Sequence, residues 1–258
     1  EMAKPGVATR ATGQPNVSAT TGTPTIGGSA AAPRAVETAK RIVIDAPLVR
    51  GSFSVRGARL DDVILTGYKQ SLGEDSGNIH FLQKTSSDMP FFAEFGWSSS
   101  DGNQLMPNAD SLWSADRDVL SPSTPVTLTW QNGQGLTFSR RISINDDYLF
   151  TFEDSVSSTL AGDITLYPYG LVRRHGTPAT TGMYILHEGP LGVFDDTLEE
   201  EDYADLRDAG PNGIKVIPET AGGWVGITDK YWLAALLPTQ TKGYNFGFQS
   251  LAGNGDRY

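Results

Sequence analysis

Between residues 126 and 144 apolar side chains recur at every second position on both sides of a short glycine-bearing loop, a pattern that few folds accommodate. Val126, Leu128 and Trp130 share one parity, Gln131-Asn132-Gly133-Gln134-Gly135 turns the chain, and Leu136, Phe138, Ile142 and Ile144 share one parity again. Successive side chains of a strand point to opposite faces, so this spacing lays all seven on one side of a hairpin. Beyond an Asn145-Asp146-Asp147 turn, Tyr148, Phe150 and Phe152 repeat it and predict a third strand on the same face, making a meander.

The rest of the chain from Arg41 reads alike, with short β-prone runs at Arg41-Ile42-Val43-Ile44, Gly51-Ser52-Phe53-Ser54-Val55 and Val63-Ile64-Leu65 divided by turn residues. One-sided strands need a second layer to cover them, and alternating βαβ units are missing. The expected class is therefore all-β, a large antiparallel β-sandwich with little helix. One helix is expected over 198–209, opened by Thr197 and Glu200 in capping-box spacing, acidic from Glu199 to Asp202, and closed by Gly210-Pro211. It reads as a solvated surface helix or a charged docking face. Gly222-Gly223 marks a turn before a further strand.

Residues 1–38 are dominated by Ala, Thr, Gly and Pro, and no aromatic residue precedes Phe53. Such a stretch buries too little apolar surface to offset the entropy of ordering it, so a flexible linker is expected there, followed by one β-domain over 39–258. With 30 acidic and 20 basic side chains the formal charge is −10, which disfavours a grip on nucleic acid or on anionic headgroups. The chain has no cysteine, hence no disulfide and no cysteine zinc site. The longest apolar run, Tyr231 to Leu237, ends at Pro238, far short of the ~20 residues of a spanning helix. The opening residues lack the apolar core of a secretion signal.

Signals for chemistry are weak. His80, His175 and His187 have no i, i+4 partner for a helical metal pair, and the phosphate-cradling G-x-x-x-x-G-K-[ST] and nucleophile-elbow G-x-S-x-G patterns are absent. No metal, cofactor or catalytic residue is expected. The doublets Asp61-Asp62, Asp146-Asp147 and Asp195-Asp196 read as turn residues before calcium ligands. Two clusters remain as candidate ligand or partner contacts. Tyr167, Tyr169, Arg173 and Arg174 follow or flank a proline that interrupts a strand, and form either a polar-aromatic rim or a solvated loop. Trp224, Tyr231 and Trp232 lie in an aromatic stretch that is either core strand or contact surface, with core the expectation for most of it.

The stretch from Gly222 to Pro238, the 125–141 hairpin, Tyr167-Pro168-Tyr169, His187-Glu188-Gly189 and Gly57-Ala58-Arg59-Leu60-Asp61-Asp62 together closely resemble the large periplasmic domain of YidC-type membrane protein insertases of Gram-negative bacteria. The resemblance runs from about Arg41 to Phe246. It implies a supersandwich similar to the galactose mutarotase fold, held at the periplasmic face of the inner membrane by flanking segments outside this sequence. It further implies a non-catalytic domain that assists insertion and folding of membrane proteins, with Sec translocon accessory subunits and nascent membrane proteins as partners. The family normally continues past Gly253-Asn254-Gly255-Asp256-Arg257-Tyr258, so a domain truncated on its C-terminal side is expected. Two alternatives stay open: a structural spacer, and a sugar-binding or mutarotase-like enzyme using His175 or His187 with Glu153 or Glu188. Adjacent His187 and Glu188 would point to opposite faces of a strand, which argues against their joint use.

Overall fold

The computed structural model describes residues 39–73, 75–99, 104–178, 187–209, 214–251 and 256–258. The expected linker over 1–38 and the helix stop at Gly210-Pro211 lie outside them. In chain order the elements are β1 (Arg41–Asp45), β2 (Val49–Ser54), β3 (Arg59–Lys69), β4 (Asn78–Leu82), β5 (Phe91–Ser99), β6 (Ser114–Ala115), β7 (Val119–Leu120), β8 (Val126–Gln131) and β9 (Leu136–Ile144). There follow β10 (Phe150–Ser158), β11 (Leu166–Arg174), β12 (Gly189–Phe194), β13 (Thr197–Glu200), α1 (Tyr203–Asp208), β14 (Ile214–Ala221), β15 (Trp224–Thr228), β16 (Leu233–Leu236) and β17 (Gly243–Gln249).

The largest sheet runs β11-β5-β3-β2-β1-β7, with β4 also paired to β3, and only the short β1–β7 contact is parallel. A second sheet, β10-β9-β8-β6, faces it. Two smaller sheets, β13-β12-β15-β16 and β14-β17, meet where Phe194 packs on Phe246 and Phe248, with ring centroids 4.9 and 6.1 Å apart. This is the expected all-β, sandwich-like architecture.

The meander forms as its alternation requires. In β8 and β9 Val126, Leu128, Leu136, Phe138, Ile142 and Ile144 are buried, and Val126 pairs with Ile142 across the ladder. They meet Ile42, Ile44, Phe53, Leu60 and Trp97 of the large sheet in one core. The third strand starts later than expected, since the β9–β10 register begins at Ile144 opposite Phe150. Tyr148 therefore sits in the turn and not on the strand face. Asn145 accounts for the difference: its Oδ1 accepts the backbone N–H groups of Asp147, Tyr148 and Leu149 at 2.9, 3.3 and 2.9 Å, which stabilises a longer turn.

The expected helix over 198–209 is corrected to a strand followed by a six-residue helix. Asp195 and Asp196 adopt φ of 47° and 63°, the left-handed pair of a tight hairpin, and fold Thr197–Glu200 back on β12. The ladder to β12 then satisfies the backbone groups that a helix would have used. The acidic run finds a lysine instead of a helix dipole, with Lys215 Nζ at 3.0 Å from Glu199 and also bonded to Glu201.

Position 140 lies on the inward parity of β9, between Phe138 and Ile142, yet it is an arginine with no exposed surface. Its Nε and Nη2 donate to the two oxygens of Asp154 at 2.8 and 2.9 Å. The ring centroids of Phe95, Trp97 and Trp113 lie 5.5, 5.0 and 5.5 Å from its guanidinium carbon. Nη1 has no hydrogen-bond partner, so the ring faces provide its compensation. Asp154 lies on the edge strand β10, with its main chain open and its side chain four-fifths covered. Asp154→Ala is expected to cost about 3 kcal/mol in denaturant unfolding, because the buried guanidinium is left without its counter-charge. Replacing both partners by Met and Leu is expected to cost much less, and equal losses in the two variants would refute this account.

Candidate functional site

The residues singled out in the sequence divide between two places. Proline at 168 does not break its strand: β11 runs through it, because among the described strands β11 is an edge whose ladder at that position is to β5, and the missing N–H leaves no ladder gap. The register Pro168↔Trp97, Gly170↔Phe95 and Arg174↔Phe91 puts the even positions of β11 toward the core, and Tyr167, Tyr169 and Arg173 on the outer face of the large sheet.

Arg174 is buried and committed to structure. Its guanidinium lies 4.0 Å from the Phe91 ring centroid and its Nη2 donates to Asp229 Oδ2 at 2.7 Å, tying β11 to the turn after β15. Past Arg174 the edge is covered, since Arg174 and Tyr258 exchange backbone hydrogen bonds at 2.8 and 2.9 Å. The chain at His175 is thus paired backbone, bridged to Arg257.

The outer face carries a polar layer over a single buried ring. Phe92 is 2 % exposed but stands apart from the apolar core. Arg59 covers it, with its guanidinium carbon 4.5 Å from the ring centroid, and donates to Glu94 from Nη2 at 2.6 Å and Nε at 3.1 Å. Tyr169 lies back across Gly96, where a Cβ would come within 2.6 Å of its hydroxyl, so glycine is required under that ring. Burial, reinforced by Glu94, holds the Tyr169 hydroxyl above its usual pKa range, while burial pulls the Arg173 guanidinium down against the attraction of Glu94. Tyr167 is 55 % exposed at the open end of the same row. Glu94 thus pairs with Arg59 and attracts Arg173 by its charge, on a chain that is acidic overall. Sequence reasoning missed Arg59, Phe92 and Glu94 as neighbours of this row; the one signal was a lone acid inside the apolar run from Phe91 to Phe95.

The second group lies on the β15–β16 hairpin. The stretch expected as core strand turns at Asp229–Trp232, where the Asp229 N–H donates to the Trp232 carbonyl at 2.8 Å. Ile227 joins the core and Trp224 is half-buried, while Tyr231, Leu233 and Leu237 are exposed. Trp232 packs edge-on against Tyr68, with ring centroids 4.9 Å apart.

Residues considered for acid–base chemistry are scattered. Glu153 pairs with Arg141 at 2.5 Å on an exposed strand, His187 Nε2 lies 3.0 Å from the Pro190 carbonyl, and the Glu188 charge acts on Tyr203. Asp61 and Asp62 are not turn residues: they lie within β3, where Asp61 pairs with Arg41 and Asp62 with Lys84 at 3.2 Å. Among the described residues no group of three His, Cys, Asp or Glu is placed to hold a metal ion. Nor is any helix among them long and apolar enough to cross a membrane.

Residues 41–258 match the family described as the YidC periplasmic domain. The chain belongs to that family. Membrane protein insertase YidC of Methylorubrum extorquens is 45 % identical over 214 residues, covering 81 % of this chain and 35 % of that protein. The Beijerinckia indica protein of the same name is 44 % identical over 209 residues, covering 81 % and 34 %, and that of Granulibacter bethesdensis 41 % over 217 residues, covering 83 % and 38 %. The chain spans about a third of the length of these relatives. It is a domain of the YidC periplasmic type, a family of insertases and not of enzymes, which counts against the mutarotase alternative.

His175 offers a check on the outer-face electrostatics. Burial, then the charges of Arg173, Arg257 and Arg59, hold its pKa below the ordinary 6.5. The unfolded chain then binds more protons than the folded one below that value, so stability is complete above about pH 6.5 and is lost as pH falls through the folded pKa. The wild type is expected to lose more melting temperature between pH 7.5 and 5.0 than His175→Gln. Equal losses would refute the assignment.

Proposed function

We propose that this chain is the periplasmic, non-catalytic domain of an inner-membrane insertase. In this reading it assists insertion and folding of membrane proteins by docking a polypeptide, either a Sec translocon accessory subunit or a nascent membrane protein, on the outer face of its large sheet. Support comes from one observation above all: an edge strand, β11, presents Tyr167, Tyr169 and Arg173 as a row beside Arg59. Tyrosine and arginine are the side chains enriched at protein contacts, because a ring brings area and a guanidinium brings directed donors at little entropic cost. The carboxylate of Glu94 holds Arg59 in place and attracts Arg173 without neutralising both. Docking through rings and guanidiniums suits backbone carbonyls and carboxylates and needs no bond to be made or broken.

The test uses a full-length insertase carrying this domain, with a photoreactive side chain at position 167. Cross-links to a Sec subunit or to a nascent membrane protein are expected, and Arg173→Glu is expected to reduce them several-fold. A cross-linking pattern indifferent to Arg173→Glu, or the absence of any cross-linked polypeptide, would overturn the reading.

A further inference from the structure

Three separate tips of the fold bring aromatic side chains into one group, Tyr68 and Tyr148 exposed and Trp232 half-buried. Tyr68 closes β3 and is 47 % exposed. Trp232, from the β15–β16 turn, stands edge-on to it, with ring centroids 4.9 Å apart. Tyr148, from the β9–β10 turn, has its pKa held above the usual range by desolvation and then by nearby Tyr68. The same loops carry the two most exposed large apolar side chains among the described residues, Leu72 at 107 % between β3 and β4 and Tyr231 at 73 % next to Trp232, together with Leu149 at 56 % next to Tyr148.

The group is held in advance of any contact. Tyr148 has φ of 146°, a conformation that costs a non-glycine residue on the order of 1–3 kcal/mol and persists only where its surroundings enforce it. Here three backbone N–H groups converge on Asn145 Oδ1 to enforce it, and the outcome is a ring and a leucine presented outward. A core residue gains from such strain by burial. Tyr148 and Leu149 are exposed, so the gain lies elsewhere.

We propose that these tips form a shallow membrane-surface anchor, with Leu72, Leu149 and Tyr231 entering the boundary between headgroups and acyl chains, and Tyr68, Tyr148 and Trp232 at headgroup level. Tyrosine and tryptophan have an apolar body and a hydrogen-bonding end, the combination that partitions to that depth. Projecting points on three loops meet a planar layer all at once, whereas an extended peptide needs a continuous trough. Lys69 and Lys230 stand against Asp75, Asp146 and Asp147, so the tips have no cationic surplus, and the chain as a whole carries −10. The lipid that suits them is zwitterionic, and attachment is apolar and not ionic. The inference rests on the proposed placement beside a membrane but not on polypeptide docking, which uses Tyr167, Tyr169 and Arg173 on the outer face of the large sheet and none of the tip residues.

The experiment measures partition of the whole chain onto phosphatidylcholine vesicles by flotation, with quenching of tryptophan emission by lipids brominated at defined depths. Expected are partition that is unchanged by raised salt, and quenching strongest near the headgroup end of the acyl chain. The double variant L72D/L149D is expected to lower the partition coefficient at least about tenfold, as removal of two inserted leucines requires. Because both positions are exposed, its circular dichroism and melting temperature are expected to match the wild type. No partition of the wild type, undiminished partition of the variant, or partition that requires anionic lipid and vanishes in salt would each overturn the proposal. So would a loss confined to binding of a hydrophobic polypeptide. Loss of the position-167 cross-links with vesicle partition intact would count against polypeptide docking alone.

Discussion

The molecule is organised around the seam between its two largest sheets, and the least expendable group in that seam is a charge. Arg140 occupies an inward position that alternation reserves for an apolar side chain, surrounded by Phe95, Trp97 and Trp113 and held by both oxygens of Asp154. A buried guanidinium tolerates only one arrangement of its neighbours, because each donor left without an acceptor or a ring face is costly. Phe95 and Trp97 come from the large sheet, Trp113 from the segment before β6, and Asp154 from the far edge of the facing sheet. The position of one arginine therefore constrains how the layers meet, beyond what non-directional apolar burial would demand.

With the inward parity of β5 and β11 used in that seam, the outward parity is free for other work. Tyr169 covers Gly96 on one side of the sheet while Phe95 fills the space beside Gly170 on the other, so each strand lends a glycine to its partner's ring. The rigidity of the core thereby extends to Arg59, Glu94 and Arg173, which sit on strands and not on loops. The opposite regime operates at the hairpin tips, where order comes from local hydrogen bonds to Asn145 and from ring contacts among residues distant in sequence. A scaffold that fixes a polar row on a sheet face and an aromatic group at its tips offers two surfaces of different chemistry on one domain.

Much of this was legible in residue order. Alternation over 126–144 specified the hairpin, its face and most of its core residues, since period two has a single geometric meaning once one side is buried. The turn chemistry of Asn145 was legible too, but not its reach: a side-chain oxygen that accepts three N–H groups shifts the start of the next strand by two residues and takes Tyr148 off its face. The acidic stretch after Thr197 read as a helix start because capping spacing is a local signal. Two left-handed aspartates before it and the ladder of β12 decided otherwise. Proline 168 read as a strand breaker, and would have been one in the middle of a sheet.

What the amino-acid order settled by itself is the class of fold and the family, because both rest on patterns carried within single strands and short words. What the tertiary structure alone decided is which side chains share a neighbourhood. Arg59 meets Glu94, Arg140 meets Asp154, and Tyr68 meets Tyr148 and Trp232 across separations that no periodicity encodes. Strand order and register set those meetings, and they are fixed by how whole sheets bury their apolar faces against one another, not by any segment's own preference.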